Sequence, residues 1–224
     1  MRKSGERARR TNAAAATSFV LGGSLFAAGA ALAQSGAEAT LYCSVYLAGG
    51  FFFSCGGYAS VLLVVNRPRQ SGPGGELRTE PWRWFAREPE RIEWLSAAVL
   101  FVGTLVFAIN IVDSFFQDLG AVQEDRLVWS PDVIGCVLFL LSGHLAILEI
   151  GHGRRVFRPA ELEWWIVVVN QLGSVLFMVA AIASFVEPGS GSVVNFGISN
   201  WGTLTGALCF ALAGLMQEFE RPPA

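Results

Sequence analysis

Six long apolar segments dominate the chain and constrain its fold more than any other feature. They are separated by polar connections and occupy residues 13–33, 41–65, 94–116, 131–150, 164–186 and 194–216. Each is about as long as the helix of roughly 20 residues that crosses a bilayer core of ~30 Å. A backbone inside lipid must satisfy its own hydrogen bonds, so these segments are predicted to be helices. We therefore expect an all-α integral membrane bundle of six transmembrane helices.

Composition supports a membrane location. Hydrophobic residues make up 53% of the 224 residues and charged residues only 15%. That is too little charge to cover the surface of a soluble globule of this length.

One short pattern recurs in every apolar segment: a glycine, a small residue, two free positions and a phenylalanine. The glycine and phenylalanine pairs are Gly22 and Phe26, Gly49 and Phe53, Gly103 and Phe107, Gly135 and Phe139, Gly173 and Phe177, and Gly206 and Phe210. The second, fourth and sixth segments add a glycine four residues later, at Gly57, Gly143 and Gly214. Glycine lets a neighbouring helix approach closely, and a phenylalanine of that neighbour can fill the space. The pattern is therefore predicted to be a helix-packing motif.

The pattern belongs to a longer internal repeat. The third and fifth segments align at an offset of 70 residues, and the fourth and sixth align at 71. Two helix types thus alternate three times, which predicts three helical-hairpin repeats inserted in the same sense. The predicted hairpins cover residues 13–65, 94–150 and 164–218, with a basic N-terminus at 1–12, connections at 66–93 and 151–163, and a tail at 219–224.

The basic residues predict an orientation. Of the 16 Lys and Arg residues, all but Arg126 lie on the side that carries both termini. The positive-inside rule predicts that this side, with both termini, is in the cytoplasm. Anionic lipid of the inner leaflet accounts for the basic connections, so membrane lipid is an expected partner and nucleic acid is not. A cleaved signal peptide ending at Ala31-Leu32-Ala33 is the alternative for the first segment, although its apolar run exceeds the usual 7–15 residues.

Two boundaries carry further expectations. Ser130, directly before Pro131, is predicted to be the N-cap of the fourth helix. In the longest connection, residues 81–87 mix aromatic side chains with arginine. This stretch is expected either to lie on the membrane surface or to be a solvated loop.

The third to sixth segments resemble a known family. Residues 158–220, with Glu163-Trp164-Trp165, Asn170, Gly173-Ser174, Phe177, Gly206 and Phe210, are similar to the YrhK-like domain of bacterial multi-pass membrane proteins. The resemblance implies an integral protein of the bacterial cytoplasmic (inner) membrane, of uncharacterised function, and supplies no catalytic residue.

Recognisable reactive chemistry is scarce in the sequence. The four cysteines, at 43, 55, 136 and 209, have no Cys-x-x-Cys spacing, and packed reduced thiols are the expected state. Only two histidines occur, His144 within the fourth segment and His152 in a basic connection. We find no P-loop, nucleophile elbow or zinc signature, and we predict no metal, no cofactor and no catalytic residue.

Four polar residues inside the segments are candidates for a ligand or proton pathway. They are Asn110, Asp113, His144 and Asn170. Interhelical hydrogen bonds and contacts with interfacial water explain them as structural residues. Ionisable groups inside membranes are often functional, and the alternative is that the four face one polar cavity between the third, fourth and fifth segments.

Two function classes remain at this point. The first is a non-enzymatic module that packs against itself, lipid or another membrane protein, supported by the small-residue contact faces. The alternative is a transporter or channel for a small solute or ion that uses the polar residues within the spans. An intramembrane enzyme ranks third, because no catalytic pair of groups is recognisable.

Overall fold

The structure is a computed structural model that describes residues 2–67, 69–70, 77–78, 81–116, 118–151 and 157–220. Within these ranges, six helices are long and apolar enough to span a membrane. The prediction of an all-α membrane bundle is thereby confirmed. His152 and residues 71–76 of the longest connection lie outside the described residues.

The helices follow the six apolar segments. They are α1 (Arg2–Gln34), α2 (Ala39–Val65), α3 (Ile92–Asp113), α4 (Ala121–Ile150), α5 (Leu162–Ala183) and α6 (Phe196–Phe219). Between α2 and α3, the two-residue strands Arg69–Gln70 and Leu77–Arg78 pair in the antiparallel sense.

Helix α1 begins well before the first apolar segment. It has 33 residues and a length of about 50 Å, so it extends beyond a bilayer core of ~30 Å. The helix continues through the basic N-terminal residues because no proline interrupts it, and the side chains of Arg7, Arg9 and Arg10 are exposed. Arg10, for example, pairs with Glu6 one turn earlier at 2.6 Å.

Helix α4 shows that the prediction of Ser130 as an N-cap is wrong. The helix starts nine residues earlier and passes through a π-helical turn at Asp125–Trp129 before the α-helical stretch Ser130–Ile150. Pro131 has no N–H, and its ring disfavours a regular turn before it. The wider π-turn accommodates the proline, and the Ser130 hydroxyl donates to the Asp125 carbonyl at 2.7 Å inside the helix.

The six helices form a closed ring. Each helix packs mainly against its neighbours in the chain, and α1 packs against α6 to complete the circle. Both chain ends therefore lie at one end of the bundle, which we call the termini side; the opposite end is the distal side.

Within each hairpin, glycine and phenylalanine fit together reciprocally. A Cβ added to Gly206 would lie 2.5 Å from Phe177 Cδ1, and one added to Gly173 would lie 3.1 Å from Phe210 Cδ2. The other pairs that show this exchange are Gly22 with Phe53, Gly49 with Phe26, Gly103 with Phe139, and Gly135 with Phe107. Each glycine thus provides the space that the ring of the opposite helix occupies.

The second glycines of the even-numbered helices lie between hairpins. A Cβ at Gly57 would lie 3.2 Å from the Cα of Phe101 in α3, and one at Gly214 would lie 3.0 Å from the Ala16 carbonyl of α1. Gly143 faces Gln171 of α5 in the same way. These contacts join the three hairpins into the ring, whereas descent of the hairpins from one repeated unit stays a prediction.

The end of the longest connection docks on the termini side of α2. The Asn66 amide donates to the Arg83 carbonyl and accepts from the Arg83 N–H, both at 2.8 Å. The Arg83 guanidinium donates to the Val65 carbonyl at 2.6 Å, and that of Arg91 donates to the Val64 carbonyl at 3.2 Å. Two arginine side chains thereby donate to carbonyls in the last turn of α2.

Candidate functional site

Six phenylalanines meet at the centre of the ring, one from each helix. They are Phe26, Phe53, Phe107, Phe139, Phe177 and Phe210, and together we call them the phenylalanine plug. All but Phe107 are buried, at 5% exposure or less. The sequence predicted contacts between neighbouring helices, and the structure brings all six rings into one cluster.

The plug consists of two layers. The phenylalanines of the odd-numbered helices form one layer, a near-equilateral triangle of side chains. The centroid distances are 5.6 Å for Phe26 to Phe107, 5.9 Å for Phe107 to Phe177 and 6.2 Å for Phe26 to Phe177. In the layer from the even-numbered helices, Phe210 lies 5.5 Å from Phe53 and 6.0 Å from Phe139. The layers touch, since Phe177 and Phe210 are 5.2 Å apart.

The plug leaves almost no free space. A void of about 10 Å³ lies among five of its rings, beside Gly50 and Thr104. This volume is at the lower limit for holding a single water molecule. The centre of the ring is therefore closed to water in this structure.

On the distal side of the plug lies a cavity of about 390 Å³, the distal cavity. Three plug rings, Phe26, Phe107 and Phe177, line it together with polar side chains from α2, α3, α4 and α6 and from the residues directly after α3 and α5. The polar lining residues are Tyr42, Cys43, Tyr46, Asn110, Ser114, Glu124, Asp132, Ser184, Ser199, Asn200 and Thr203.

The amides of the distal cavity are held by hydrogen bonds that use their NH₂ groups. Asn110 donates to the Val128 carbonyl at 2.9 Å, and Asn200 donates to Gln34 Oε1 at 3.2 Å. Both side-chain carbonyl oxygens are thus left to accept further bonds. Asp132 receives only a weak bond in the described structure, from the Cys136 thiol at 3.8 Å.

A second cavity, of about 300 Å³, lies on the termini side of the plug, and we call it the termini-side cavity. Two plug rings, Phe139 and Phe210, line its inner end. The charged lining residues are Arg67, Glu93, Glu149, Glu163 and Glu220. The neutral polar lining residues are Asn12, Ser60, Ser96, Ser142, Asn170, Ser174 and Gln217.

The charges of the termini-side cavity are unbalanced. Arg67 lies 3.8 Å from Glu93 and 3.9 Å from Glu149, and Arg91, which is outside the described lining, lies 3.1 Å from Glu93. Among the described residues, the lining therefore has four glutamates and only these two arginines beside them, an excess of acidic groups. Burial raises the pKa of the Glu220 carboxyl above its usual value, and nearby Glu163 raises it further, while Arg67 lowers it.

Hydrogen bonds between helices hold the wall of the termini-side cavity. The Asn12 amide donates to the Gln217 carbonyl at 3.1 Å, and the Gln217 amide donates to Asn12 Oδ1 at 3.0 Å. The Ser96 hydroxyl donates to the Ser142 carbonyl at 3.0 Å, and the Ser142 hydroxyl donates to the Ser96 carbonyl at 2.8 Å. These pairs join α1 to α6 and α3 to α4.

The structure does not bring the four candidate pathway residues into one cavity. Asn110 lines the distal cavity and Asn170 lines the termini-side cavity, with the plug between them. Asp113 and His144 are absent from the described linings of both cavities. The physical reason is axial position: Asn110 follows its motif glycine by seven residues, whereas Asn170 precedes its own by three, so about 15 Å of helix separates their levels.

Sequence analysis missed the acidic and tyrosine residues of the two cavities. Asp132 precedes Gly135 by three residues, and the matching residues of the other even-numbered helices, Tyr46 and Thr203, also line the distal cavity. Counting from the motif glycine would therefore have identified this position. Glu149 and Glu220 also occupy equivalent positions, because each follows the motif glycine of its segment by fourteen residues, and both line the termini-side cavity.

The cysteines and acids show no metal-binding geometry. All four cysteines are free thiols, and Cys43 and Cys136 are buried. Among the described residues, no group of three or more His, Cys, Asp or Glu side chains is arranged to hold a metal ion.

Comparison with known proteins adds no relative. No family model, no curated protein and no solved structure matches the chain. The similarity to the YrhK-like domain therefore stays a prediction, and the arguments below rest on the chain itself.

Proposed function

We propose that the protein is a channel for a small solute, with its path along the axis of the six-helix ring. The single observation that carries this proposal is the phenylalanine plug between two polar cavities. A path through the bundle would run from one cavity to the other and would be closed by six rings.

The polarity of the two cavities supports passage rather than helix packing alone. Polar groups inside a membrane bundle cost free energy unless they are paired or face water. A bundle that only packed would be more stable with apolar residues at Asp132, Asn170 and Glu149. Their presence around open space is expected of residues that line a solute path.

The plug has the properties of a hydrophobic gate. An apolar constriction excludes water without a rigid seal, and small movements of its side chains can admit water again. The plug rings lie opposite glycines, so neighbouring helices can slide past each other without a clash of branched side chains. Opening would require only that rings in both layers turn out of the axis.

We further propose the orientation that the charges favour. The basic residues at the termini side favour an orientation with this end in the cytoplasm and the distal cavity open to the outside, and the resemblance to the YrhK-like domain favours a bacterial inner membrane. Membrane lipid is then the partner of the exposed apolar side chains on all six helices.

A second candidate is the membrane module that packs against lipid, itself or another membrane protein. One observation favours it: Trp84 and Phe85 are 68% and 79% exposed in the connection that docks on α2. Such side chains suit the membrane interface or a partner's surface.

The channel proposal is tested by removing rings from the plug. The Phe53→Ala/Phe177→Ala variant removes one ring from each layer, and Phe51→Ala/Val179→Ala is the matched control on the exposed surface of the same helices. The full chain is reconstituted in liposomes, and the uptake of small solutes is followed by stopped-flow light scattering. We expect the plug variant to exceed the control by at least about tenfold, which corresponds to ~1.4 kcal/mol of barrier.

Folding of both variants is checked by circular dichroism and size-exclusion chromatography. A folded plug variant that stays as impermeable as its control to every solute would refute the channel proposal. The membrane module would then be the better explanation.

A further inference from the structure

We propose that the solute is a small cation and that Asp132 recognises it in the distal cavity. This inference rests on the channel proposed above and adds the class of the solute. Three independent features carry it: the charge of the lining, the surroundings of the Asp132 carboxylate, and the surplus of acceptor groups.

The described linings of both cavities are negative. The distal cavity has two carboxylates, Glu124 and Asp132, and its described lining includes no lysine, arginine or histidine. The termini-side cavity has four glutamates against Arg67 in the lining and Arg91, which pairs with Glu93 from outside it, so the acidic groups remain in excess. Fields inside a low-dielectric wall are strong, so both cavities attract cations and repel anions.

Asp132 lies where a passing solute must approach it. It precedes Gly135 on α4 by three residues and shares the cavity with three rings of the plug. In the described structure, the thiol of Cys136 is its hydrogen-bond donor, at a long 3.8 Å. A positive partner stabilises a carboxylate inside a membrane bundle, and the described lining of the cavity supplies none, so a cationic solute is the natural source.

The other polar groups of the distal cavity complement a cation. The NH₂ groups of Asn110 and Asn200 donate to protein acceptors, which leaves their carbonyl oxygens for a ligand. The ring of Tyr46 lies 5.3 Å from that of Phe26, and aromatic faces attract cations. Oxygen acceptors and ring faces around one carboxylate suit a cation that carries several N–H groups.

The experiment compares three planar ions or molecules of similar shape and different charge. Guanidinium is positive, urea is neutral and nitrate is negative, so charge is the principal difference among them. The full chain with Phe53→Ala/Phe177→Ala is reconstituted in liposomes, because the open plug supplies a measurable flux. We expect guanidinium to enter faster than urea, and urea faster than nitrate.

Asp132 is then tested in the same background. Asp132→Asn should lower the ratio of guanidinium flux to urea flux by about tenfold or more, since a unit charge at contact distance is removed. Asp132→Glu, which keeps the charge, should retain the preference. Asp113→Asn, an acid outside the described linings of both cavities, is the matched control and should leave the ratio unchanged.

The outcomes separate the two proposals. If Phe53→Ala/Phe177→Ala admits none of the three solutes, the channel proposal itself is refuted. If it admits them but guanidinium enters no faster than urea, the cation inference is refuted while the channel stands. That comparison needs no substitution at Asp132, so it decides the solute class even if Asp132→Asn fails to fold. An unchanged ratio in folded Asp132→Asn would refute the role of this residue alone.

Discussion

The contact between Gly206 and Phe177 allows the helix-packing argument to be tested at one atom. Gly206→Ala would add a Cβ 2.5 Å from Cδ1 and 2.9 Å from Cε1 of the ring, and 3.0 Å from the Gly173 carbonyl oxygen. Distances this short require a shift of the neighbouring atoms. Phe177 is 4% exposed and lies between other plug rings, so its ring cannot turn away by itself and the neighbouring rings would have to move with it.

The magnitude follows from two opposing contributions. Overpacking of a tight interior costs about 1–3 kcal/mol. Replacing glycine by alanine inside a helix returns about 0.5–1 kcal/mol through helix propensity. The net loss in the free energy of unfolding should therefore lie between about 0 and ~2.5 kcal/mol, and the difference from a glycine-to-alanine control without the clash should be about 1–3 kcal/mol.

The matched control lies on the same helix. A Cβ at Gly197 would be 3.5 Å from Asn195 Oδ1, an ordinary contact, so Gly197→Ala should be neutral or slightly stabilising. Unfolding of the purified chain is followed by circular dichroism in mixed micelles with increasing sodium dodecyl sulfate. Equal midpoints for Gly206→Ala and Gly197→Ala would contradict the tight contact.

A double substitution identifies the ring as the cause. Phe177→Ala removes the two ring atoms that the new Cβ would meet, so Gly206→Ala should cost less in that background. We expect a coupling free energy of at least about 0.5–1 kcal/mol between the two positions. Strictly additive effects would mean that Gly206 is needed for the close approach of the two helix backbones and not for the space that the Phe177 ring occupies.

Three further outcomes follow from other contacts. Glu220→Gln should raise the midpoint of thermal unfolding near neutral pH, because the buried carboxyl has a raised pKa and its charged form disfavours the fold. The gain should disappear below the ordinary pKa of 4.5, where this carboxyl is protonated in both states, and a pH series that shows a constant gain would contradict it. Ser96→Ala with Ser142→Ala should lose about 1 kcal/mol of stability, read from the same micelle titration, since two hydrogen bonds between α3 and α4 disappear. Asn66→Ala should make the bond after Arg83 more accessible to trypsin in limited proteolysis, because the amide holds this backbone at two points; an unchanged cleavage rate would argue against that role.

The helices and their contact motif could be predicted from the sequence because both are local. A run of about 20 apolar residues must be helical in lipid, whatever surrounds it. The spacing of Gly206 and Phe210 places them on one helix face, so close contact with a neighbour follows from the four-residue interval. The prediction for the start of α4 is wrong for a local reason as well, because the spacing of apolar residues does not indicate the π-turn before Pro131.

The location of the site depended on tertiary structure. The polarity of Asn110 and Asn170 was visible in the sequence, yet it did not show that the plug separates them. That separation depends on how far along the axis each helix is placed relative to its neighbours, and contacts between helices set this position.

The sequence by itself determined six membrane-spanning helices, their glycine and phenylalanine contact positions, and a segregated distribution of charge. Only the tertiary structure decided that the six helices close into a ring, that one phenylalanine side chain from each helix meets the others at the centre, and that Asp132 faces a cavity. The physical reason is that periodicity specifies which face of a helix is buried, whereas closure of the ring depends on all six helices at once. A central path can exist only after the contact between α1 and α6 has formed.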